Sequence, residues 1–236
     1  MMVEPARPRV STRGRYLRKR EKTRERLLQA AKQVMAGTGV EASTIAEIAA
    51  AADVSPGTFY NYFETREEIL DAVAASLVGE FRRVMDVIQR AVDDPAERIA
   101  IAIRLFLERV RDDRLWGWFM ARYAPTLPIL RDQTREIIRE RIVTDGLRRR
   151  RFRLPSTRAV GDLIAGTSVT ALRSILEGRA PVEMATEVAE LVLRGLGVPL
   201  GEAHRIANRP IPPLRTATQD RPRLPATASG LRAKTS

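Results

Sequence analysis

Hydrogen-bonding side chains without charge are concentrated in one short stretch of the sequence, residues 44–63. The stretch contains no lysine or arginine and only two acids, Glu47 and Asp53. Hydroxyl, phenol and amide groups can exchange hydrogen bonds with phosphate oxygens and with the edges of bases. This is the chemistry of recognition rather than of catalysis. The candidate contact residues, with the small and rigid residues among them, are Thr44, Ser55, Pro56, Gly57, Thr58, Tyr60, Asn61 and Tyr62.

Two short helices joined by a tight turn are predicted to position these side chains. Apolar residues at spacings of three and four after Thr44 indicate the buried face of a first helix, and Glu47 completes a capping-box pattern with Thr44. Ser55 is suited to cap a second helix and Pro56 to occupy its first position. That helix then carries the aromatic run to Phe63. This arrangement matches a helix-turn-helix, whose second helix enters the major groove of DNA.

The stretch also resembles the N-terminal domain of the TetR (tetracycline-repressor) family. Two residues depart from the family pattern: Asp53 stands where the family usually has glycine, and Arg66 where it usually has lysine. Aspartate tolerates a left-handed turn conformation and arginine keeps the phosphate-binding charge, so both are compatible with the fold. The positions in step with the pattern are Thr44, Ile48, Ala49, Ala52, Val54, Ser55, Gly57, Thr58, Tyr60, Tyr62, Phe63, Glu67 and Ile69 or Leu70.

The resemblance implies specific DNA contacts. Tyr60 and Tyr62 resemble the family tyrosines that grip the DNA backbone and base edges. Thr44, at the N-terminus of its helix, is expected to donate to a phosphate together with backbone N–H groups. Arg66 is expected to supply phosphate attraction just downstream of the uncharged stretch.

Other side chains of the second helix have alternative explanations. Thr58 can hydrogen-bond a base or a phosphate, Pro56 can touch a thymine methyl group, and Asn61 can pair with adenine through two hydrogen bonds. Asn61 can equally meet only a phosphate or water, and Ser55 can be only a helix cap. Tyr60 can be partly buried, and the phenylalanines beside it are expected to belong to the core.

The positive charge of the chain lies outside this stretch. The 236 residues carry a formal net charge of +12. Residues 1–26 hold ten Lys or Arg against three Glu, residues 198–236 hold seven against two acids, and residues 27–197 hold 24 of each sign. The N-terminal arm is predicted to contact nucleic acid, and the C-terminal arm to be a solubilising tail. The arginines at 148–151 are interpreted as a cap for a helix dipole, with a second nucleic-acid patch as the alternative.

Residue types for catalysis and metal binding are scarce. The chain has no cysteine, and its single histidine, His204, lies in a proline-rich segment. Disulfides, thiolate zinc sites and a His-based cluster within one chain are therefore excluded, although a pair of buried carboxylates is not. We expect no enzyme, no cofactor and no metal, in a reducing cytoplasm. No apolar run approaches the roughly 20 residues of a membrane span and no secretory signal is recognised, so no membrane partner is expected.

Helices are predicted through the rest of the chain, which gives an all-α fold. By the resemblance, a long helix from Thr65 links the DNA-binding unit to the remainder, and the helices 157–176 and 181–196 pair with their copies in a homodimer. Ordinary packing within one chain is the alternative for these two helices. The predicted regions are a basic disordered arm (1–16), a helix-turn-helix domain (17–64), a helical ligand-binding and dimerisation domain (65–197) and a disordered basic tail (198–236).

The resemblance implies a small-molecule pocket in the C-terminal domain, and an aromatic segment, residues 115–123, is the candidate for its lining. Arg122 is available to pair an acidic ligand; alternatively the aromatics are core and Arg122 lies on the surface. The predicted function is a ligand-responsive repressor that binds a palindromic operator as a dimer and is released by an unknown small-molecule inducer. The alternative is a structural or nucleoid-associated DNA-binding protein of the same fold that acts at many sites. The candidate pocket residues are Phe106, Trp116, Trp118, Phe119, Arg122 and Tyr123.

Overall fold

The computed structural model describes residues 12–39, 42–153 and 157–214 of the chain. Within these ranges the protein contains eleven α-helices, one π-helical segment (Arg139–Val143) and no β-strand, so the predicted all-α fold is confirmed. The helices are α1 (Thr12–Thr38), α2 (Ile45–Ala51), α3 (Pro56–Tyr60), α4 (Arg66–Ala91), α5 (Pro95–Asp112), α6 (Arg114–Tyr123), α7 (Pro128–Ile138), α8 (Thr144–Arg148), α9 (Thr157–Leu176), α10 (Met184–Gly195) and α11 (Leu200–Ala207).

Helices α1 to α3 form a small N-terminal unit. Helix α2 packs on both α1 and α3, around side chains that include Leu27, Met35, Ile48 and Phe59, all of them without solvent exposure. Helix α1 begins at Thr12, whereas the sequence predicted a disordered arm as far as residue 16. The prediction used the apolar stripe, which begins later than the run of good helix-forming residues before it. Residues 1–11 of the predicted arm lie outside the described ranges.

Helix α4 joins this unit to the rest of the molecule. It is 26 residues long, which corresponds to about 39 Å at 1.5 Å per residue. Thr65 caps its N-terminus by accepting a hydrogen bond from the backbone N–H of Glu68 at 3.0 Å. Because α4 packs against α1 and also against α5 and α7, a movement of its axis changes the position of both units.

Helix α9 is a core helix of the larger unit. By length and mean hydropathy (1.2), the segment Arg158–Leu176 could cross a membrane. It packs instead against α5, α6 and α10, and it buries Val160, Ile164 and Leu172 in the common core. These contacts account for the part of the segment that is buried inside the protein, which is 39%.

Three of the four arginines at 148–151, namely Arg148, Arg149 and Arg151, are held by carboxylates. Arg148 and Arg149 both donate to Asp145, whose other oxygen accepts from the buried Arg98 at 3.0 Å. Hydrogen bonds from Arg148 are the first cause that lowers the pKa of the Asp145 carboxyl below its usual value. Arg151 donates two hydrogen bonds to Asp94, at 2.9 and 3.0 Å. The run serves internal ion pairing, which favours the structural interpretation over a second nucleic-acid patch.

The region predicted as a disordered tail from residue 198 begins with ordered structure. Helix α11 packs on α10 and α5, and Ala203, Ile206 and Ala207 are buried. Arg104 of α5 donates to the carbonyl oxygen of Ala207 at 3.1 Å. The prediction relied on average composition, which concealed the spacing of three and four in these apolar residues. Residues 215–236 lie outside the described ranges.

Candidate nucleic-acid interface and inner cavity

The face formed by α3 and its two ends is open to solvent. Ser55, Pro56, Gly57, Tyr60 and Asn61 are exposed, with Tyr60 exposed to 55%. Thr58 and Tyr62 are half-buried, while the phenylalanines that flank the two tyrosines are buried. The sequence assigned Phe59 and Phe63 to the core, and the structure confirms it. An uncharged, polar and aromatic face therefore projects from a small packed unit.

The hydroxyls at the two helix starts are engaged in caps. Thr44 Oγ1 accepts from the backbone N–H of Glu47 at 3.2 Å, and the backbone N–H of Thr44 donates to the Glu47 carboxylate at 2.8 Å, which completes the predicted capping box. Thr44 Oγ1 also donates to the same carboxylate at 2.9 Å. Hydrogen bonds from Thr44 lower the pKa of the Glu47 carboxyl below its usual value. Ser55 Oγ accepts from the N–H of Thr58 at 3.1 Å and lies 2.9 Å from Thr58 Oγ1. The exposed carboxylate of Glu47 thus lies beside the hydroxyl that the resemblance assigns to a phosphate.

Tyr60 and Asn61 are the groups of this face with free hydrogen-bonding capacity. Among the described residues neither side chain has a hydrogen-bond partner within the protein. Tyr60 is held from one side only, by an edge-to-face contact with the ring of Phe59 at 5.7 Å between centroids. Both side chains are exposed. They are therefore the best placed to exchange hydrogen bonds with base edges or phosphates.

Gly57 leaves open space at the start of α3. A Cβ atom placed there would meet only Ser55 Oγ, at 3.9 Å, which is an ordinary contact distance. The fold therefore does not need a glycine at this position. A residue without a side chain allows another backbone to approach closely. The missing side chain of Gly57 therefore leaves room for another molecule on the outer side of α3.

The turn between α2 and α3 is fixed by α1. Asp53 has a positive φ of 53°, the left-handed conformation expected where the family usually has glycine. Arg26 of α1 donates to the carbonyl oxygens of Ala52 and Asp53, at the negative end of α2. Arg20 lies over the ring of Tyr62 with 5.9 Å between its Cζ and the ring centroid. Cations of α1, which the sequence assigned only to phosphates, thus also orient the turn and the helix that follows it.

Arg66 lies next to the start of α2. Its guanidinium donates to the carbonyl oxygen of Ser43 at 3.4 Å and to the carboxylate of Glu67 at 3.3 Å. It is half-buried, so part of the group still faces solvent. Its position near Thr44 groups the two residues that were predicted to attract a phosphate.

A cavity of about 430 Å³ opens in the larger unit. Helices α4, α5 and α6 supply mainly apolar groups to its lining, including Phe81, Phe106 and Met120, while α7 and α9 add hydroxyls and arginines. A concave and mostly apolar site with a few polar groups is the usual form of a small-molecule site. The lining residues extend over the chain from residue 81 to residue 173.

Only Phe106 of the six predicted pocket residues lines this cavity. Phe119 and Tyr123 are buried, with their rings 4.9 Å apart between centroids, and α6 packs against α1 as well as α9. Trp118 and Arg122 are exposed. Trp116 borders a smaller neighbouring cavity of about 90 Å³. Trp116 and Phe119 line another cavity of about 430 Å³. Composition showed that α6 is aromatic but not which of its faces meets which cavity, and the assignment of the ligand-binding residues stays a prediction.

A chain of contacts leads from the cavity to α1. Phe106 packs edge-to-face on Trp116, with 5.3 Å between ring centroids, and the Arg109 guanidinium lies 4.3 Å from the Trp116 ring. Arg109 donates to Glu80 of α4 at 3.0 Å, and Lys32 of α1 donates to the same carboxylate at 3.3 Å. Glu80 thus joins the helices α1, α4 and α5 at one point.

The geometry defines a helix-turn-helix regulator with an inner cavity, and comparison with known proteins agrees. The family model described as bacterial regulatory proteins, tetR family, matches residues 27–73. The model described as tetracyclin repressor-like, C-terminal domain, matches residues 94–209. The chain belongs to the TetR family of DNA-binding transcriptional regulators, whose members are not enzymes.

Curated relatives match over part of their length. TcmR of Streptomyces glaucescens is 32% identical over 104 residues, which are 44% of this chain and 46% of that protein. BetI of Rhizobium meliloti is 37% identical over 82 residues, 35% of this chain and 40% of that protein. Both are named HTH-type transcriptional regulators. The chain thus spans about half the length of the curated relatives it matches.

Solved structures are similar over most of the chain. RolR in complex with resorcinol has a TM-score of 0.65 and 32% identity, covering 84% of this chain and all of that one. FadR of Bacillus subtilis in complex with stearoyl-CoA has a TM-score of 0.63 at 23% identity, covering 72% and 98%. The latter similarity shows the fold alone.

Proposed function

We propose that the protein is a ligand-responsive repressor that binds a palindromic operator as a homodimer in the cytoplasm. The observation that carries the proposal is the exposed, uncharged face of α3, whose free groups are Tyr60 and Asn61 and which is backed by the basic helix α1. Neutral groups that exchange specific hydrogen bonds give sequence preference, and cations beside them give affinity for phosphates.

A homodimer supplies the selectivity that one short recognition helix lacks. Two such helices related by a two-fold axis read half-sites about 34–36 Å apart. In support of dimerisation through the segments 157–176 and 181–196, large apolar side chains of the second segment face solvent: Val182 is 77% exposed and Leu191 59%. Exposed apolar groups of this size are expected at a protein interface.

The cavity and the contact chain support control by a ligand. An occupant that moves Phe106 also moves Trp116 and Arg109, and Arg109 holds the same Glu80 carboxylate as Lys32 of α1. The ligand then changes the angle between α4 and α1 and spreads the two recognition helices. It releases DNA only if its affinity differs between the two arrangements. The ligand of the RolR structure, resorcinol, makes small aromatic compounds the first candidates.

Selection of bound sequences from random duplexes tests the proposal. The expected result is one inverted repeat with half-sites one helical turn or a multiple apart, together with a dimer mass in light scattering. An asymmetric site or uniform affinity for all duplexes contradicts it. Many occupied sites in chromatin precipitation would instead favour a nucleoid-associated protein that acts across the chromosome.

A further inference from the structure

The inner cavity has two chemically different sides. Phe81 of α4, Phe106 of α5 and Met120 of α6 form an apolar side. The hydroxyls and cations of the lining come from two further helices, with Thr134 and Arg135 on α7 and other groups on α9, and both helices also add apolar residues. A ligand that satisfies both sides has an apolar body and a polar edge.

Among the described residues, the cavity hydroxyls of Thr134, Ser168 and Thr170 form no hydrogen bonds within the protein. Ser168 is only 8% exposed, yet among the described residues its hydroxyl forms no hydrogen bond. Neighbouring hydroxyls on the same helix behave differently, since Thr167 donates to the Leu163 carbonyl oxygen and Ser174 to that of Thr170. A hydroxyl that lines a cavity and has no partner within the protein is available to a ligand or to water. Ser168 also stands in the buried stripe of α9, at a position where packing alone favours an apolar residue.

The charged groups of the lining are all positive. Arg131, Arg135 and Arg173 line the cavity, and no carboxylate does. Arg131 and Arg135 are each paired with an aspartate outside the lining. Arg173 has no carboxylate within ion-pair distance among the described residues. Its guanidinium donates to the carbonyl oxygen of Ala121 at 3.2 Å, which fixes its orientation between α9 and α6.

We propose that the inner cavity binds an amphiphilic organic acid, with the carboxylate on Arg173 and the apolar body against Phe81 and Phe106. Thr170 lies one helical turn before Arg173, and both line the cavity while remaining exposed to solvent, so one carboxylate can contact both. Ser168 bonds a second polar group of the ligand. The proposal rests on the ligand-responsive function above and gives it a chemical class. A charge-assisted hydrogen bond is stronger than a neutral one, so an acid is preferred over a neutral compound of the same shape.

Calorimetry on the full chain with two matched pairs of probes tests this. The pairs are 3,5-dihydroxybenzoate with resorcinol, and decanoate with decanol; each differs in the carboxylate. We expect the acid of at least one pair to bind at least tenfold more tightly than its neutral partner. Equal affinity in both pairs, tighter binding of the neutral partners, or no binding of either acid overturns the proposal.

Substitutions of single arginine residues test which side chain causes the preference for the acid over its neutral partner. Arg173→Met should abolish the acid preference and change the affinity of the neutral partner less than twofold, whereas Arg173→Lys should retain part of the preference. Arg122→Met is the matched control, because Arg122 is an exposed arginine of α6 outside the cavity lining. An acid preference that survives Arg173→Met overturns the assignment.

Failure of the acid proposal can be distinguished from failure of the proposed function. Operator release by resorcinol together with no acid preference overturns the acid but leaves the ligand-responsive repressor intact. Acid binding with the Arg173 dependence, in a protein that selects no operator, removes the repressor and leaves the cavity assignment intact.

Discussion

The Thr44 and Ser55 hydroxyls at the recognition face form hydrogen bonds within the protein, whereas the Ser168 hydroxyl in the inner cavity forms none among the described residues. On the recognition face Thr44 and Ser55 use their hydroxyls to cap helices, and Tyr60 and Asn61 remain free. In the cavity Ser168 does not bond the preceding turn of its own helix. The difference shows that hydroxyls on an exposed face can stabilise short helices, whereas hydroxyls in a cavity between long packed helices can remain available to a ligand.

The largest expected effect distinguishes the buried ring of Phe59 from the exposed ring of Tyr60 next to it. Phe59→Ala should lower the free energy of unfolding by about 3–5 kcal/mol, because it removes a fully buried ring from the N-terminal unit. Tyr60→Ala, at the adjacent exposed position, is the control and should change it by less than about 1 kcal/mol. Urea unfolding followed by circular dichroism measures both. Equal losses would show that the two rings are not divided into core and contact.

Asn61→Ala tests which groups of the face choose the sequence. It should weaken binding to the selected operator by about 1–3 kcal/mol and affect random duplex much less, because a free amide is lost from the reading surface. Fluorescence anisotropy with both duplexes measures the difference. The same loss on both duplexes would assign Asn61 to a phosphate.

Gly57→Ala tests the open space on the outer side of α3. We expect operator affinity to fall about tenfold, or about 1.4 kcal/mol, because the added methyl group meets the approaching DNA. The free protein should keep or slightly gain stability, since the new Cβ meets nothing closer than 3.9 Å. Thermal unfolding and anisotropy on the same sample separate the two effects. A loss of stability equal to the loss of affinity contradicts the interpretation.

Glu80→Gln tests how the cavity and the recognition face communicate. The substitution keeps the shape of the side chain but removes the charge shared by Lys32 and Arg109. The ratio of operator affinities without and with ligand should shrink by about 1 kcal/mol of coupling free energy. The control is Glu108→Gln, because Glu108 is an exposed residue of α5. Asp86→Gln is not suitable, because Asp86 pairs with Arg141.

The smallest expected effect is the pH dependence of the stability that Glu80 contributes through its ion pairs with Lys32 and Arg109. Burial raises the pKa of the Glu80 carboxyl, but the charges of Lys32 and Arg109 together lower it below its ordinary value of 4.5. Its stabilising contribution is therefore complete above that value and is lost as the pH falls through the lowered pKa. The free energy of unfolding, measured from pH 7 to pH 3, should differ between wild type and Glu80→Gln by at most about 1 kcal/mol. This difference should decline at the acid end. A constant difference contradicts it.

The recognition face could be predicted because its determinants are local. The capping box of Thr44 with Glu47, the cap at Ser55 and the left-handed Asp53 each depend on residues within a few positions. A sequence displays such spacings directly. The role of Arg26 could not be predicted, because its contact with the end of α2 crosses 27 positions.

The sequence by itself determined the helix-turn-helix, the all-α fold and the absence of cysteine chemistry, because periodicity, caps and composition are written along the chain. Only the tertiary structure decided which groups line the cavity. Helices α4 to α7 and α9 meet there by packing, and a rotation of any one of them would exchange its cavity face for its core face. Trp118 and Arg122 on α6 were therefore predicted for the cavity and lie outside it, whereas Ser168 and Arg173 on α9 line it.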